Sequence, residues 1–200
     1  MSDLPISLPP DLEPAFVAAL DRAGKVVAAL DALGPIVDRD VVVIDATGGP
    51  FVGGLTALGA RLTHVASARP LRIPAGEASI DVVVGLWSAF RGVDGRDIAE
   101  VDRVLRPGGR HLVVHDYGRD DVSGLFGDRP EYGAWSHRAG PFLAGGFRVR
   151  VVHCFWEFES QDVTTEFLAA AFGEAGAALA GTLKRPRLSW NVAVYHRSRP

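Results

Sequence analysis

Apolar runs of five to seven residues recur along the chain, separated by stretches with helical spacing. Asp40-Val-Val-Val-Ile-Asp45 and Ile80–Leu86 are almost uninterrupted hydrophobic runs, the pattern of parallel strands covered on both faces. Ala60–Ala66 and Arg110–His115 read as further strands. Phe147–Phe158 and Leu188–Arg197 complete the set, the last alternating as a strand with one covered face. Helices are expected over Asp11–Leu33, with Gly24 as a candidate break and Gly34-Pro35 as the stop, and over Phe51–Leu58, Arg96–Arg106, Tyr132–Leu143 and Asp162–Leu183. Asp162 is the expected N-cap of the last, with Glu166 in its first turn. Leu4–Pro10 reads as an extended, proline-rich arm, and the residues after His115 as a polar loop. No repeat or linker divides the chain. It reads as one domain, with residues 1–35 an arm and helical region and residues 36–200 an α/β unit.

Strands alternating with helices imply a doubly wound, mostly parallel sheet. Ligands of such sheets bind outside the carboxyl ends of the strands, near the topological switch point. Asp45–Gly49, Ala66–Ser67, Leu86–Ser88 and Asp116–Tyr117 fall there.

Composition narrows the function classes. Two hundred residues, 48% of them hydrophobic, suit one domain with a substantial core. A net charge of −3 without a long basic block gives no support to nucleic-acid binding, and Lys184-Arg-Pro-Arg187 reads as solvated charge. Lys25 and Lys184 are the only lysines, so a catalytic lysine has two candidates in unpromising contexts. The single cysteine, Cys154, lies in an apolar strand-like run and reads as a small core residue in a reducing compartment. His111 and His115 lie roughly 13 Å apart along a strand and cannot share a metal, and the other histidines lack ligand-like spacing. No secretory leader or apolar run of membrane-spanning length is evident, so a soluble, cytoplasmic protein without membrane contacts is expected.

The segment Glu100–His115 carries the most information. Ile98, Val101, Val104 and Leu105 share a helical face, Pro107 cannot continue the helix, and Gly108-Gly109 permit a reversal into a buried strand. "RVLRPGGRHLVV", preceded by "SIDVVVGLWSAF", resembles the later half of the class I S-adenosylmethionine-dependent methyltransferase domain, of the type 11-like kind, and the likeness covers about residues 36–158. It implies a Rossmann-like sheet with an antiparallel C-terminal strand, S-adenosylmethionine as cofactor, and a small-molecule methyl acceptor.

The first half departs from that family. Asp45-Ala-Thr-Gly-Gly-Pro-Phe-Val-Gly-Gly54 satisfies no register of G-x-G-x-x-G, and it lacks the lysine of a phosphate loop, Gly54-Leu55 standing in its place. The resemblance maps Asp45 to the family's acid and Gly49 to the middle glycine of its loop, with Thr47 and Phe51 at the flanking glycine positions and Gly48 available for another register. The ribose-binding acid becomes Ala66. Ser67 offers a neutral hydroxyl beside it, worth roughly half a charge-assisted bond. Between Ser67 and Ile80 only the twelve residues Ala68–Ser79 remain. They span about 40 Å when extended but cannot hold a helix and another strand. The sheet is therefore expected to lack one strand and helix after the second strand, leaving an edge for the proline-rich arm or a second subunit to cover.

Two functional readings stay open. One is a methyltransferase-like domain that has lost the cofactor and serves as a scaffold or homodimerisation module. The other is an active methyltransferase on a small molecule, in which Asp45, Thr47, Gly48, Gly49, Ser67 and Trp87 hold the cofactor, and Asp116 and Tyr117 are the candidates for acceptor chemistry. Phe90 is a further candidate for stacking, and Trp190 reads as core. A dehydrogenase is disfavoured because neither the dinucleotide fingerprint nor a tyrosine–lysine pair spaced by four is present.

Overall fold

The chain folds as three layers, helices on both sides of a single six-stranded sheet of order β2-β1-β3-β4-β6-β5. The computed structural model describes residues 3–87, 89–127, 129 and 131–200. The strands are β1 (Asp40–Ile44), β2 (Arg61–Val65), β3 (Ile80–Leu86), β4 (Leu105–Asp116), β5 (Arg148–Glu157) and β6 (Arg187–Ser198). β2, β1, β3 and β4 run parallel, and β6 is antiparallel to both of its neighbours, β4 and β5. This is the mostly parallel sheet with an antiparallel C-terminal strand that the alternation and the resemblance imply.

The apolar runs fix its centre. Val41, Val42, Val43 and Ile44 are fully buried, as a strand with helices over both faces requires. One face carries the main core, closed by α1 (Glu13–Ala19), α2 (Lys25–Leu33), α3 (Pro50–Ala57), α5 (Asp121–Phe126) and α8 (Gln161–Ala180). The other is covered by α4 (Gly95–Val104), α6 (Glu131–Ala134) and α7 (Pro141–Ala144). His111 lies buried between the edges of Phe90 and Phe147, with neither ring nitrogen bonded among the described residues, and burial lowers its pKa to about 3. Cys154 and Trp190 are core residues, and burial pushes the Cys154 thiol up.

The local departures from the sequence expectations have simple causes. Gly24 does break the first helical region. It sits at φ +64°, and the Asp21 carboxylate, accepting from the Lys25 and Val26 amides at 3.1 and 2.7 Å, caps α2 in place of the missing side chain. The long helix is capped by Ser160, whose hydroxyl accepts from the Val163 amide, and not by Asp162, which lies inside the first turn. The single helix expected over Tyr132–Leu143 is two one-turn helices. Gly140 is extended because it precedes Pro141. The polar loop after β4 contains α5, started by a capping box between Asp120 and Ser123. α4 stops at Val104, three residues ahead of Pro107, because Leu105 is already buried and paired with Ile80. A register shift then follows in the β3–β4 ladder.

Ala68–Ser79 contains no helix or strand, and β2 is a sheet edge paired only with β1 among the described residues. The strand missing after β2 is thus absent as expected. The arm does not cover this edge. Leu4, Ile6 and Leu8 pack instead against the main core, because those side chains have apolar surface to bury there. The short segment closes the other face. Leu71 and Ile73 are buried against Val101, Val104 and Leu105, and α4 holds the segment's backbone. Glu100 accepts from the Ile73 amide at 2.9 Å, while Arg103 donates to Glu100 and to the carbonyls of Ile73 and Ala75.

Arg103 and burial act in opposite senses on Glu100, and the Arg103 hydrogen bonds win, lowering its carboxyl from 4.5 to about 2. A lowered carboxyl stabilises the fold above its unfolded value, and that contribution is lost as pH falls from 4.5 through about 2. Glu100→Gln keeps the shape but not the charge, and should cost about 1–2 kcal/mol at pH 7. Urea unfolding at pH 7 and pH 3 checks this, and the difference between the two proteins should shrink at the lower pH.

Candidate functional site

Backbone strain marks the carboxyl ends of the parallel strands. Asp45 after β1 lies at φ +64° and Trp87 after β3 at φ +46°. The left-handed region is tolerable for Asp but costly for a bulky residue. Both are held by the sheet. The Asp45 amide donates to the Val65 carbonyl at 2.8 Å, and the Trp87 amide to that of Val114 at 2.9 Å.

Asp45 and Ser67 are brought together. One Asp45 oxygen accepts from the Ser67 amide at 2.7 Å and the other from the Ser67 hydroxyl. The carboxylate therefore ties the end of β1 to the end of β2, and both its oxygens already have a donor from within the chain. Thr47 is exposed on the loop that follows.

Gly48 and Gly49 meet a group that nothing near them in sequence announces. The Asp3 amide donates to the Gly48 carbonyl at 3.0 Å, and the Asp3 carboxylate accepts from the Val52 amide and from that of Phe51. Gly49, at the start of α3, has no side chain with which to cap the helix, so Asp3 does so from the arm. Gly49 sits at φ +120°, and a Cβ there would overlap the Asp3 carboxylate at 1.8 Å, so both the turn and the docking require glycine. Asp3 is 1% exposed and its second oxygen has no partner among the described residues. Burial outweighs the amide bonds and raises its carboxyl to about 6.

An aromatic cluster fills the adjoining space. Phe51 lies 4.8 Å from Trp87, and Trp87 stacks on Trp190 at 5.9 Å, centroid to centroid. Asp116 accepts from both indoles, Trp190 Nε1 at 3.0 Å and Trp87 Nε1 at 3.3 Å. Tyr117, the next residue, packs into the opposite core with the Arg119 guanidinium over its ring. Alternation thus separates the two residues expected to act together. Ser88, the remaining sequence candidate, lies outside the described residues.

Two cavities flank this cluster. A small one of about 40 Å³ is bounded by Pro5, Trp87, His115, Asp116, Arg129 and Tyr132, with room for about one water. The Tyr132 hydroxyl is buried there without a hydrogen-bond partner among the described residues. Its ring lies so close to Gly118 that a Cβ would meet it at 2.8 Å. A larger one, about 300 Å³, opens between the end of β2 and the β3–α4 loop, with Ser67, Arg69, Leu71, Phe90, Asp94 and Asp97 in its walls. Among the described residues no group of three or more His, Cys, Asp or Glu could hold a metal. No helix among them is long and apolar enough to cross a membrane.

Sequence reasoning missed Asp3, Arg129 and Tyr132. Arg129 and Tyr132 sit in short segments without periodicity. Asp3 is brought in by tertiary packing alone, and the only local sign is a capless helix start at Gly49-Pro50.

No protein-family model matches the sequence, and no curated protein resembles it closely enough to count as a relative. Solved structures do match. A candidate type II methyltransferase from Anaeromyxobacter dehalogenans is 20% identical with a TM-score of 0.56, over 87% of this chain and 95% of that one. A candidate methyltransferase from an antibiotic biosynthesis pathway of Anabaena variabilis ATCC 29413 is 12% identical with a TM-score of 0.53, over 91% of this chain and 99% of that one. At such identities the likeness is one of fold. The chain has the class I methyltransferase fold.

Asp116 supplies a test of the site's electrostatics. Burial raises its carboxyl to about 6 against the two indole bonds, and Asp120 adds to the rise. The folded value lies above the unfolded one, so this proton stabilises the fold at low pH, and the contribution is lost as pH rises from 3.8 to about 6. Intrinsic tryptophan fluorescence should show a transition with a midpoint near about 6. Asp116→Asn should remove it.

Proposed function

We propose that the chain is a methyltransferase-like domain that does not hold S-adenosylmethionine in the family's manner and serves as a binding module. The observation that carries this reading is the filling of the glycine loop by the chain itself. The Asp3 carboxylate occupies the α3 amides, and the Phe51 ring closes against Trp87 and Trp190. The resemblance places the cofactor's methionine portion against this loop.

Three further features agree. Asp45, the acid expected to serve the cofactor, has both oxygens engaged by Ser67. Ala66 stands where the ribose acid belongs. The segment that would carry an acid near the adenine is reduced to Ala68–Ser79, and its backbone is bonded to α4. A second copy of the chain is the partner this reading favours, because the outer edge of β2 leaves backbone donors and acceptors for another strand.

One observation supports the alternative, an active S-adenosylmethionine-dependent enzyme acting on a small molecule. The Asp116 carboxyl, at about 6, lies at a strand end beside the same small cavity as the unpartnered Tyr132 hydroxyl. A carboxyl tuned toward neutrality is what a general base for a methyl acceptor requires. That reading needs the arm to withdraw.

Calorimetric titration of S-adenosylmethionine and S-adenosylhomocysteine into the whole chain and into Asp3→Ala separates the two. The module reading expects no heat from either protein up to millimolar ligand, with an unshifted melting temperature. Micromolar affinity in the unaltered chain contradicts it. Affinity that emerges only in Asp3→Ala contradicts it too, and identifies an enzyme gated by its arm.

A further inference from the structure

The opposite end of the sheet carries a concentration of positive charge unrelated to the site above. Along β4, Leu112 and Val114 face the main core; so do Val152 and Cys154 on β5, and Val192 and Val194 on β6. Residues two apart on a strand share a face, so Arg110, Arg148, Arg150, His196 and Ser198 all lie on that same side. The register brings them side by side, Arg148 opposite His196 and Arg110 opposite Ser198. Directly opposed side chains have their Cβ atoms roughly 5 Å apart.

All of these residues but Arg150 border a cavity of about 260 Å³ lined by Arg110, Gly146, Arg148, His196, Arg197 and Ser198, with no carboxylate among them. Arg197 turns its guanidinium to the far face, where it pairs with Asp102 at 2.6 Å. Arg110 donates to the Ser198 hydroxyl. Among the described residues Arg110, Arg148 and Arg150 form no ion pair. His196 registers the crowding. Burial lowers its pKa first, and Arg148, Arg110 and Arg150 lower it further. The cavity therefore has two guanidiniums in its walls, those of Arg110 and Arg148, that no carboxylate among the described residues neutralises, with Arg150 on the same face nearby.

We propose that this cavity is an anion site that takes the phosphate or diphosphate group of a small molecule. Guanidinium forks match the spacing of phosphate oxygens and bind them through paired, charge-assisted hydrogen bonds. The forks come from two different strands, β4 and β5, and approach the cavity from different sides. A tetrahedral group with three or four oxygens can meet such an arrangement, whereas a flat carboxylate with two oxygens and one charge leaves donors unmet. The Ser198 hydroxyl adds a neutral donor. Arg110 is six residues from Asp116 on the same strand, a separation of roughly 20 Å, so the site is separate from the aromatic cluster and from any cofactor bound there.

Inorganic phosphate and pyrophosphate titrated into the whole chain test the proposal, followed by calorimetry and by the His196 ring resonances. Pyrophosphate should bind saturably and more tightly than phosphate, and the His196 pKa should rise as the anion offsets the three arginines. Arg148→Gln and Arg110→Gln, both at the solvent-facing rim, should each weaken binding about tenfold or more, the loss of one charged hydrogen-bonding group. Arg148→Lys should fall between, because it keeps the charge without the fork. Arg22→Gln, an equal change of net charge on a distant exposed surface, should leave the affinity unaltered. Absence of saturable binding by either probe at about 10 mM, where even a weak site would fill, overturns the proposal, as does equal weakening by Arg22→Gln. Capture of a polyglutamate peptide with no response to either phosphate probe also overturns it, and indicates an acidic protein partner.

Discussion

Twelve residues have to close one face of the sheet between Ser67 and Ile80, and much of the rest follows from that limit. A helix and a returning strand do not fit in that length, so β2 becomes an edge and the segment runs directly back over the face next to α4. Its cover is thin, with Leu71 and Ile73 supplying the buried side chains and no regular structure to satisfy the backbone. Buried backbone groups must find partners. Glu100 and Arg103 provide them from α4, so a salt bridge within one helix stands in for the hydrogen bonds of a missing helix. The cavity of about 300 Å³ beside the segment is walled by Arg69, Asp94 and Asp97.

On the other flank of the strand ends the chain caps its own helix. α3 begins at Gly49-Pro50 without a side-chain cap, and a helix start leaves amides that require an acceptor. Asp3 meets that requirement, held by an arm whose leucines and isoleucine are anchored in the core. Phe51, buried beside it, packs its ring at a tilt against Trp87 of the Trp87–Trp190 pair. Asp45, turned toward Ser67, serves the junction of two strands. Each of these arrangements satisfies a local structural need, and together they engage the carboxylates and helix-start amides at these strand ends. Burial raises the carboxyls of both Asp3 and Asp116 to about 6. At the far end of the sheet the Arg110 and Arg148 guanidiniums line a cavity with no carboxylate in its walls.

How much of this was legible in the sequence depends on whether a local or a distant force decides each feature. β1 and β3 could be read almost to the residue, because burial on both faces leaves an unbroken apolar run. The break at Gly24 and the missing strand were also legible, the first from a glycine with no helical preference and the second from a chain length. Ends of elements were harder to read. β4 begins five residues earlier than expected because Leu105 is drawn into the core beside Ile80. Ser160 takes the cap expected of Asp162 because the helix starts two residues sooner than that cap implies. α5 depends on a capping box within a run that reads as polar loop. The docking of Asp3, forty-nine residues from Val52, left no local trace beyond the capless helix start at Gly49-Pro50. The cation cluster left none, because its residues alternate on separate strands and only the register unites them.

The central claim is that the strand ends keep the methyltransferase fold while the chain's own groups fill its cofactor site. The most direct measurement is the set of backbone amide resonances of Gly49, Val52 and Ser67 while S-adenosylhomocysteine is added to the intact protein. The account predicts that all three stay in place up to millimolar ligand, because Asp3 and Asp45 already accept from Val52 and Ser67. Saturable shifts at all three positions would show that the cofactor displaces those carboxylates, and would contradict it.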